Sequence, residues 1–320
     1  MIEPDAEAWY DILINPPQDI NCAFPAYLFN EPIHLRQQPC QRFTTFYLFH
    51  KRRKRAEARF SFFVQDGKAV SPCRATFGSI EIHPSLPQQA LDFFIQTINQ
   101  YAVNRGVTEI HIKSYPFCYA PEPATHLTAS LTREGYQISL TELNYHIPIT
   151  LTPFESLLHA SEKRRLKKCI GHGFVFAEEL DPDLSAIYQM VKDTRLKGGF
   201  PISLSYTDFE QLFLRFPGIY QVFTVKDSNR IIALTVTVRI NQDILYNFYP
   251  ADDPEYRHFS PAVLLMKGVY EHGQEQQYSI LDLGIATDQG EPNYGLIRFK
   301  RFIGGKSSLK LSFIKQIATP

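Results

Sequence analysis

The chain has 320 residues, 44% of them hydrophobic, and balances 33 Lys and Arg against 33 Asp and Glu for a net charge of +0. That length carries a sizeable core and favours two domains. The even charge balance supplies no global pull toward nucleic acid or an anionic membrane.

Five cysteines, an odd number without a C-x-x-C pair, read as free thiols in a reducing compartment. The ten histidines are scattered at spacings that make no metal site. The N-terminus carries Glu3, Asp5 and Glu7 where a signal peptide would be basic, and no run of 18 apolar residues occurs. These features imply a cytoplasmic protein with no metal, no DNA partner and no membrane insertion.

In chain order, the first 40 residues are Pro-rich and irregular and read as a packed-down arm. RFTTFYLFH (42–50) and ARFSFFVQDGKAVS (58–71) are aromatic and β-branched, as strands are. The KRRKR between them, 51–55, reads as a solvated hairpin turn, with a phosphate-binding patch as the less favoured alternative. Leu91, Phe94, Ile95, Ile98, Tyr101 and Ala102 recur at three- and four-residue steps and predict an amphipathic helix ending at Gly106. TEIHIKSYP then reads as a strand, 123–134 as a polar helix and GYQISLTELNYHIPI as a strand.

A break falls near Pro153, which starts a helix continuing through SLLHASEKRRLKKCI to Gly171. FVFAEEL reads as a strand, and 183–197 and 206–216 as helices. Three antiparallel strands follow, with turns at 227–229 and 241–243. SPAVLLMKGVYEHG is a helix, SILDLG a strand, YGLIRFKRF a helix and SLKLSFIK a last strand. Both halves run from hairpins through helix, strand, helix and strand. The order predicts an α/β (α+β) fold of two copies of one unit, each a mixed, mostly antiparallel sheet flanked by helices, at 1–150 and 151–320.

Chemistry concentrates in the second half. In PADDPEYRHFSPAVLL, Ser260 suits an N-cap and Pro261 the first helical position. Free amides at such a terminus can seat a phosphate, and Arg257 and His258 lie just upstream. On the helix from Tyr294, Leu296, Phe299, Phe302 and Ile303 share an arc, while Arg298 and Arg301 project to the other side. Lys300 projects beside the apolar arc. It must snorkel, pair with an acid or point into a cleft. Asp282 and Gly284 alternate with Leu281 and Leu283, so the first pair shares a strand face. Asp282 is a base, a positioning group for an amine, or a structural acid. Tyr246, Asn247 and Tyr249 precede it on another strand and are candidates to line an acceptor cleft or simply core residues. No nucleophilic triad or activated cysteine stands out, which argues against a covalent acyl-enzyme. Cys169 reads as a half-buried structural thiol.

The spacing Arg257-x-x-Ser260-x-Ala262 resembles the pyrophosphate loop of the GNAT acyltransferases, with Ser and Ala where that loop has Gly. The basic helix HASEKRRLKKCI, the strand ILDLG and the helix GLIRFKRFIGG are similar, in that order, to the C-terminal lobe of FemAB-like acetyltransferase domains. SPCRATFGSIEIHP is similar to the matching stretch of a first, degenerate lobe. The resemblance implies tandem GNAT-like lobes and an N-acyltransferase. Arg257, His258, Ser260 and Ala262 would hold acetyl-CoA or another acyl-CoA. Phe299 and Lys300 would lie at the reacting ester, with Lys300 stabilising the oxyanion. Tyr246, Asn247 and Tyr249 would contact a small-molecule or peptide amine. The alternatives are a Fem-type transferase to a cell-wall precursor or peptide, with aminoacyl-tRNA as donor and tRNA held by residues 163–168, and a GNAT-like binding protein without turnover.

Overall fold

The computed structural model describes residues 6–40, 42–199 and 202–317. The chain divides into two compact units. One holds the residues up to Leu143 with Thr287–Glu291 and the stretch from Ser308 on; the other holds Asn144–Ala286 and Pro292–Ser307.

The first unit opens with helix α1 (Ala6–Trp9) and strand β1 (Tyr10–Ile14). The arm expected from the Pro-rich start is therefore partly a sheet strand: Tyr10 faces His50 and Ile14 faces Phe46 across an antiparallel pair. Helix α2 (Pro32–Leu35), β2 (Phe43–His50), β3 (Arg55–Gln65), β4 (Lys68–Ser71), the short β5 (Glu81–Ile82), α3 (Gln88–Asn104), β6 (Glu109–Lys113), α4 (Pro121–Arg133) and β7 (Gln137–Pro148) follow. The KRRKR segment is the β2–β3 turn, with Lys54 left-handed at φ 52°. Arg53 and Arg55 turn back onto buried Glu57, which also accepts from the Tyr10 hydroxyl at 2.9 Å. β4 and β6 run parallel, so the chain must cross over, and α3 makes that crossing. The periodic residues Leu91, Phe94, Ile95, Ile98 and Ala102 of α3 lie in one core with Phe46, Phe60 and Phe62.

Cysteine chemistry departs from the expectation of five free thiols. Cys40 and Cys73 form a disulfide with Cα atoms 6.2 Å apart. It ties the segment after α2 to the loop after β4, a proximity that an odd count and irregular spacing could not reveal. Cys22, Cys118 and Cys169 are free. The cysteine argument for a reducing compartment falls with the disulfide.

The second unit contains α5 (Phe154–Leu157), α6 (Ala160–Gly171), β8 (Val175–Glu179), α7 (Leu184–Lys197), α8 (Tyr206–Arg215), β9 (Tyr220–Asp227), β10 (Arg230–Arg239), β11 (Ile244–Asp252), α9 (Pro261–Glu275) and β12 (Ile280–Ile285). The two-residue strands β13 (Thr287–Asp288) and β14 (Glu291–Pro292), α10 (Tyr294–Phe302) and β15 (Lys306–Gln316) complete the chain. The single helix expected from Pro153 to Gly171 is broken. Leu158 is extended, and His159 caps α6 by accepting from the Ser161 amide while its ring stacks 4.1 Å from Phe302.

The strands of the two units repeat one pattern. β1-β2-β3-β4 are antiparallel neighbours, β4 is parallel to β6, and β6 is antiparallel to β15. β8-β9-β10-β11 are antiparallel neighbours, β11 is parallel to β12, and β12 is antiparallel to residues 144–148 of β7. Helix α9 makes the second crossover as α3 makes the first. Two copies of one mixed α/β unit are thus present, and each takes its sixth strand from a remote part of the chain. Among the described residues, no helix is long and apolar enough to cross a membrane, and no cluster of His, Cys, Asp or Glu is fit to hold a metal ion.

Candidate active site

The sequence ILDLGI of β12 does not run as a plain strand. Asp282 faces His146 on β7, but Gly284 faces Tyr145, so Leu283 is an extra residue on the β12 side. This is a bulge, and Gly284 meets it with φ +74°, where a side chain would be strained. Asp282 Oδ1 accepts from the Gly284 amide at 2.8 Å and from Asn144 Nδ2 at 2.8 Å. A methyl on Gly284 would come within 3.4 Å of Tyr246 Cε2, so that ring lies over the glycine.

The bulge leaves the Gly284 and Ile285 carbonyls to α10. Lys300 Nζ donates to them at 2.9 and 2.7 Å. With 5% of its surface exposed, Lys300 does not snorkel; it satisfies main-chain acceptors inside the unit. Burial drives its ammonium down to about 7, against the opposing pull of the Asp282 charge. Arg298 and Arg301 are exposed, as their projection predicts, and Arg298 lies 5.1 Å from the Phe302 ring. Phe299 is half-buried.

Strand register sorts the remaining candidates. His146, Asp282 and Tyr246 are direct neighbours across β7, β12 and β11, and so lie on one sheet face. Asn247 follows Tyr246 and points to the other face, where its Oδ1 accepts from Thr235 Oγ1 at 2.6 Å. Tyr249 shares its hydroxyl with Ser203 Oγ at 3.2 Å and stacks under Arg195. The structure thus gathers Tyr246, Asp282 and Lys300 around the Gly284 bulge and leaves Asn247 and Tyr249 with other partners.

At the start of α9, Ser260 holds the N-cap position but makes no side-chain cap, contrary to the sequence reading. Its backbone is left-handed at φ 58° and ψ 56°, which turns the hydroxyl away from the helix amides. This explains why a glycine suits that position in the pattern it resembles. Arg257 grips Asp252 with two bonds, at 2.6 and 3.2 Å, and His258 Nδ1 lies 2.9 Å from the Glu255 carbonyl. The α6 end flanks this turn: Lys168 Nζ is 4.3 Å from the Phe259 ring, and buried Cys169 donates to the Phe259 carbonyl at 3.3 Å. Burial pushes the Cys169 thiol up to about 11, so it is inert.

Two residues escaped the sequence reading. Asn144 holds Asp282 but sits in a strand of alternating polar residues with nothing to single it out. His146 became visible only through its register with Asp282.

Residues 159–301 match the family model described as an acetyltransferase (GNAT) domain. No curated protein matches the sequence. Among solved structures, the crystal structure of FemX is similar with a TM-score of 0.71 at 12% identity, over 92% of this chain and 93% of that one. The structure of L-PGS from Bacillus licheniformis is similar with a TM-score of 0.54 at 13% identity, over 92% and 93%. A tandem GNAT protein from the clavulanic acid biosynthesis pathway gives 0.53 at 10% identity, over 88% and 84%. At these identities the neighbours speak for the fold, and the repeated β-pattern agrees with them. Residues 159–301 thus match the model of an acetyltransferase (GNAT) domain, and the fold of the chain is similar to those of FemX, L-PGS and a tandem GNAT protein.

Proposed function

We propose that the protein is an N-acyltransferase in which an amine attacks a carrier-bound acyl group directly, with no acyl-enzyme. The observation that carries this reading is Lys300, buried in the matched domain and anchored by the Gly284 and Ile285 carbonyls beside Asp282. An ammonium has three N–H groups, and two are engaged. The third can meet the oxyanion that develops on the acyl carbonyl, in a setting of low dielectric where such a contact is strong. Asp282, held by Asn144 and the Gly284 amide, keeps a negative charge near the cation. Tyr246, over the bulge, lines the acceptor side.

The donor in this reading is an acyl-CoA. The GNAT domain match and the α9 terminus support it, with the Ala262 amide and Lys168 at the phosphate seat. Arg257 contributes little charge there while Asp252 neutralises it. A second reading, aminoacyl-tRNA as donor, is favoured by exposed Lys163, Arg164 and Lys167 on α6 together with the Fem-like fold.

A thermal-shift titration with coenzyme A and acetyl-CoA, on the wild type and on Ser260→Arg, decides between them. A ligand at 100 times its Kd stabilises by about 2.7 kcal/mol. A shift lost in Ser260→Arg supports acyl-CoA at α9. No shift with any acyl-CoA rejects that donor, and tRNA binding that weakens steeply with salt then supports the second reading.

A further inference from the structure

The run Asp252-Asp253-Pro254-Glu255 puts three carboxylates just before the turn that opens α9. Two of them are committed to Arg230, whose Nε donates to Asp253 at 2.9 Å and whose Nη2 donates to Glu255 at 2.6 Å. The third, Asp252 at the end of β11, fills one edge of Arg257: Nε donates to Oδ2 at 2.6 Å and Nη2 to Oδ1 at 3.2 Å. Arg257 belongs to the turn itself, since the Ser260 amide donates back to its carbonyl at 3.0 Å. Lys168 joins the same turn by donating to the His258 carbonyl at 3.4 Å. The cations Arg230, Arg257 and Lys168 are thus matched one for one by Asp252, Asp253 and Glu255, and a polyanionic donor meets no net positive charge among them. A guanidinium edge that fits a carboxylate through two parallel bonds fits a phosphate in the same way, and it serves one anion at a time. The Arg257 side chain is 53% exposed and that of Asp252 26%, so the pair lies largely in water, where ion pairs are weak and can exchange partners.

We propose that Asp252 is a specificity-determining residue of the donor seat: it occupies the Arg257 edge that a donor phosphate would take, and the phosphate has to displace it. This inference rests on the acyl-CoA reading above and adds to it the residue that sets donor affinity. No covalent bond changes in the exchange. Two N–H bonds pass from the Asp252 carboxylate to a phosphate, and the carboxylate is left to water. A multiply charged pyrophosphate gains from that exchange. A carboxylate or another singly charged anion only replaces like with like, so the seat passes it over. Asp253 and Glu255 do not compete for Arg257, because Arg230 holds both.

The test is calorimetric titration of the full chain with coenzyme A, at low and at high salt. Wild type is compared with Asp252→Asn, Arg257→Gln and the double variant. Asp252→Ser serves as a second release variant, because an asparagine oxygen can still accept from Arg257. The expected result at low salt is a Kd lowered about 5-fold by either Asp252 change, the upper end of what an exposed ion pair holds back. The gain should shrink at high salt, where exposed charges are screened, and should be absent when Arg257 is already Gln. Binding detected only in the Asp252 variants also supports the assignment. Where the wild type binds coenzyme A, a Kd that is unchanged or raised in both Asp252 variants, or an equal gain on Arg257→Gln, overturns the role of Asp252 and leaves the acyl-CoA reading intact. No binding by the wild type or any variant overturns the acyl-CoA reading and the role of Asp252 with it.

Discussion

Lys300→Met isolates the energetics of burying a cation at the bulge. A lysine held at about 7 when folded, against an ordinary 10.5, means that its charged form is disfavoured inside the unit by about 5 kcal/mol at most. The sign follows from proton counting. Between those two values the unfolded chain holds a proton on Lys300 and the folded chain does not, so stability rises with pH across that window. Below pH 7 both states are protonated and the full burial cost is present. The variant keeps every other titrating group, so the difference between the two proteins reports Lys300 alone. Urea unfolding from pH 6 to pH 10 should show the wild type gaining on Lys300→Met by up to about 1.4 kcal/mol per pH unit above pH 7. The total should reach several kcal/mol. A constant offset is also expected, because methionine leaves the Gly284 and Ile285 carbonyls without their donor, at about 1–3 kcal/mol each. Parallel curves over the whole range would show that the lysine keeps its ordinary proton affinity, and the argument from burial would be wrong.

Asp282→Asn removes the charge that holds the Lys300 proton affinity up, so the same pH window should begin lower than in wild type in the same unfolding series. Gly284→Ala forces a side chain into φ +74° beneath the Tyr246 ring and should cost about 1–2 kcal/mol by urea denaturation, more than an ordinary surface Gly→Ala change. Thiol titration of the unfolded chain should count three free cysteines without reductant and five with it. Cys73→Ser, which opens a loop of sequence separation 33, should lower stability by about 3–4 kcal/mol.

Much of the scaffold was legible because periodicity reports burial. The α3 residues from Leu91 to Ala102 showed the three- and four-residue step that places them in the core, and the hairpin turns announced themselves by polar clusters. The projection of Lys300 beside the apolar arc marks it as unusual in the sequence itself. Its partners were not legible, since they are main-chain carbonyls exposed by a bulge, and carbonyls have no sequence identity. The same holds for Asn144 and His146: register, not composition, makes them neighbours of Asp282. The Leu158 break in the expected long helix was hidden because its cause, the His159–Phe302 stacking, joins residues far apart in the chain. The disulfide was missed for a similar reason. Cysteine counting assumes that all cysteines share one fate.

The remote sixth strand of each unit has a consequence for synthesis. Ile112 of β6 pairs with Phe313 of β15, two residues separated by most of the chain. A nascent polypeptide emerging from the ribosome therefore presents β6 with an open edge until the segment that holds Phe313 has been translated. At about 5–20 residues per second, that edge waits on the order of ten seconds or more. Asp282 likewise has to find His146 after a long interval of translation, whereas hairpins such as β2–β3 close locally. Early-made residues thus gain their last neighbours from late-made ones, and truncation before β15 is expected to leave the earlier half prone to sticking through its bare strand.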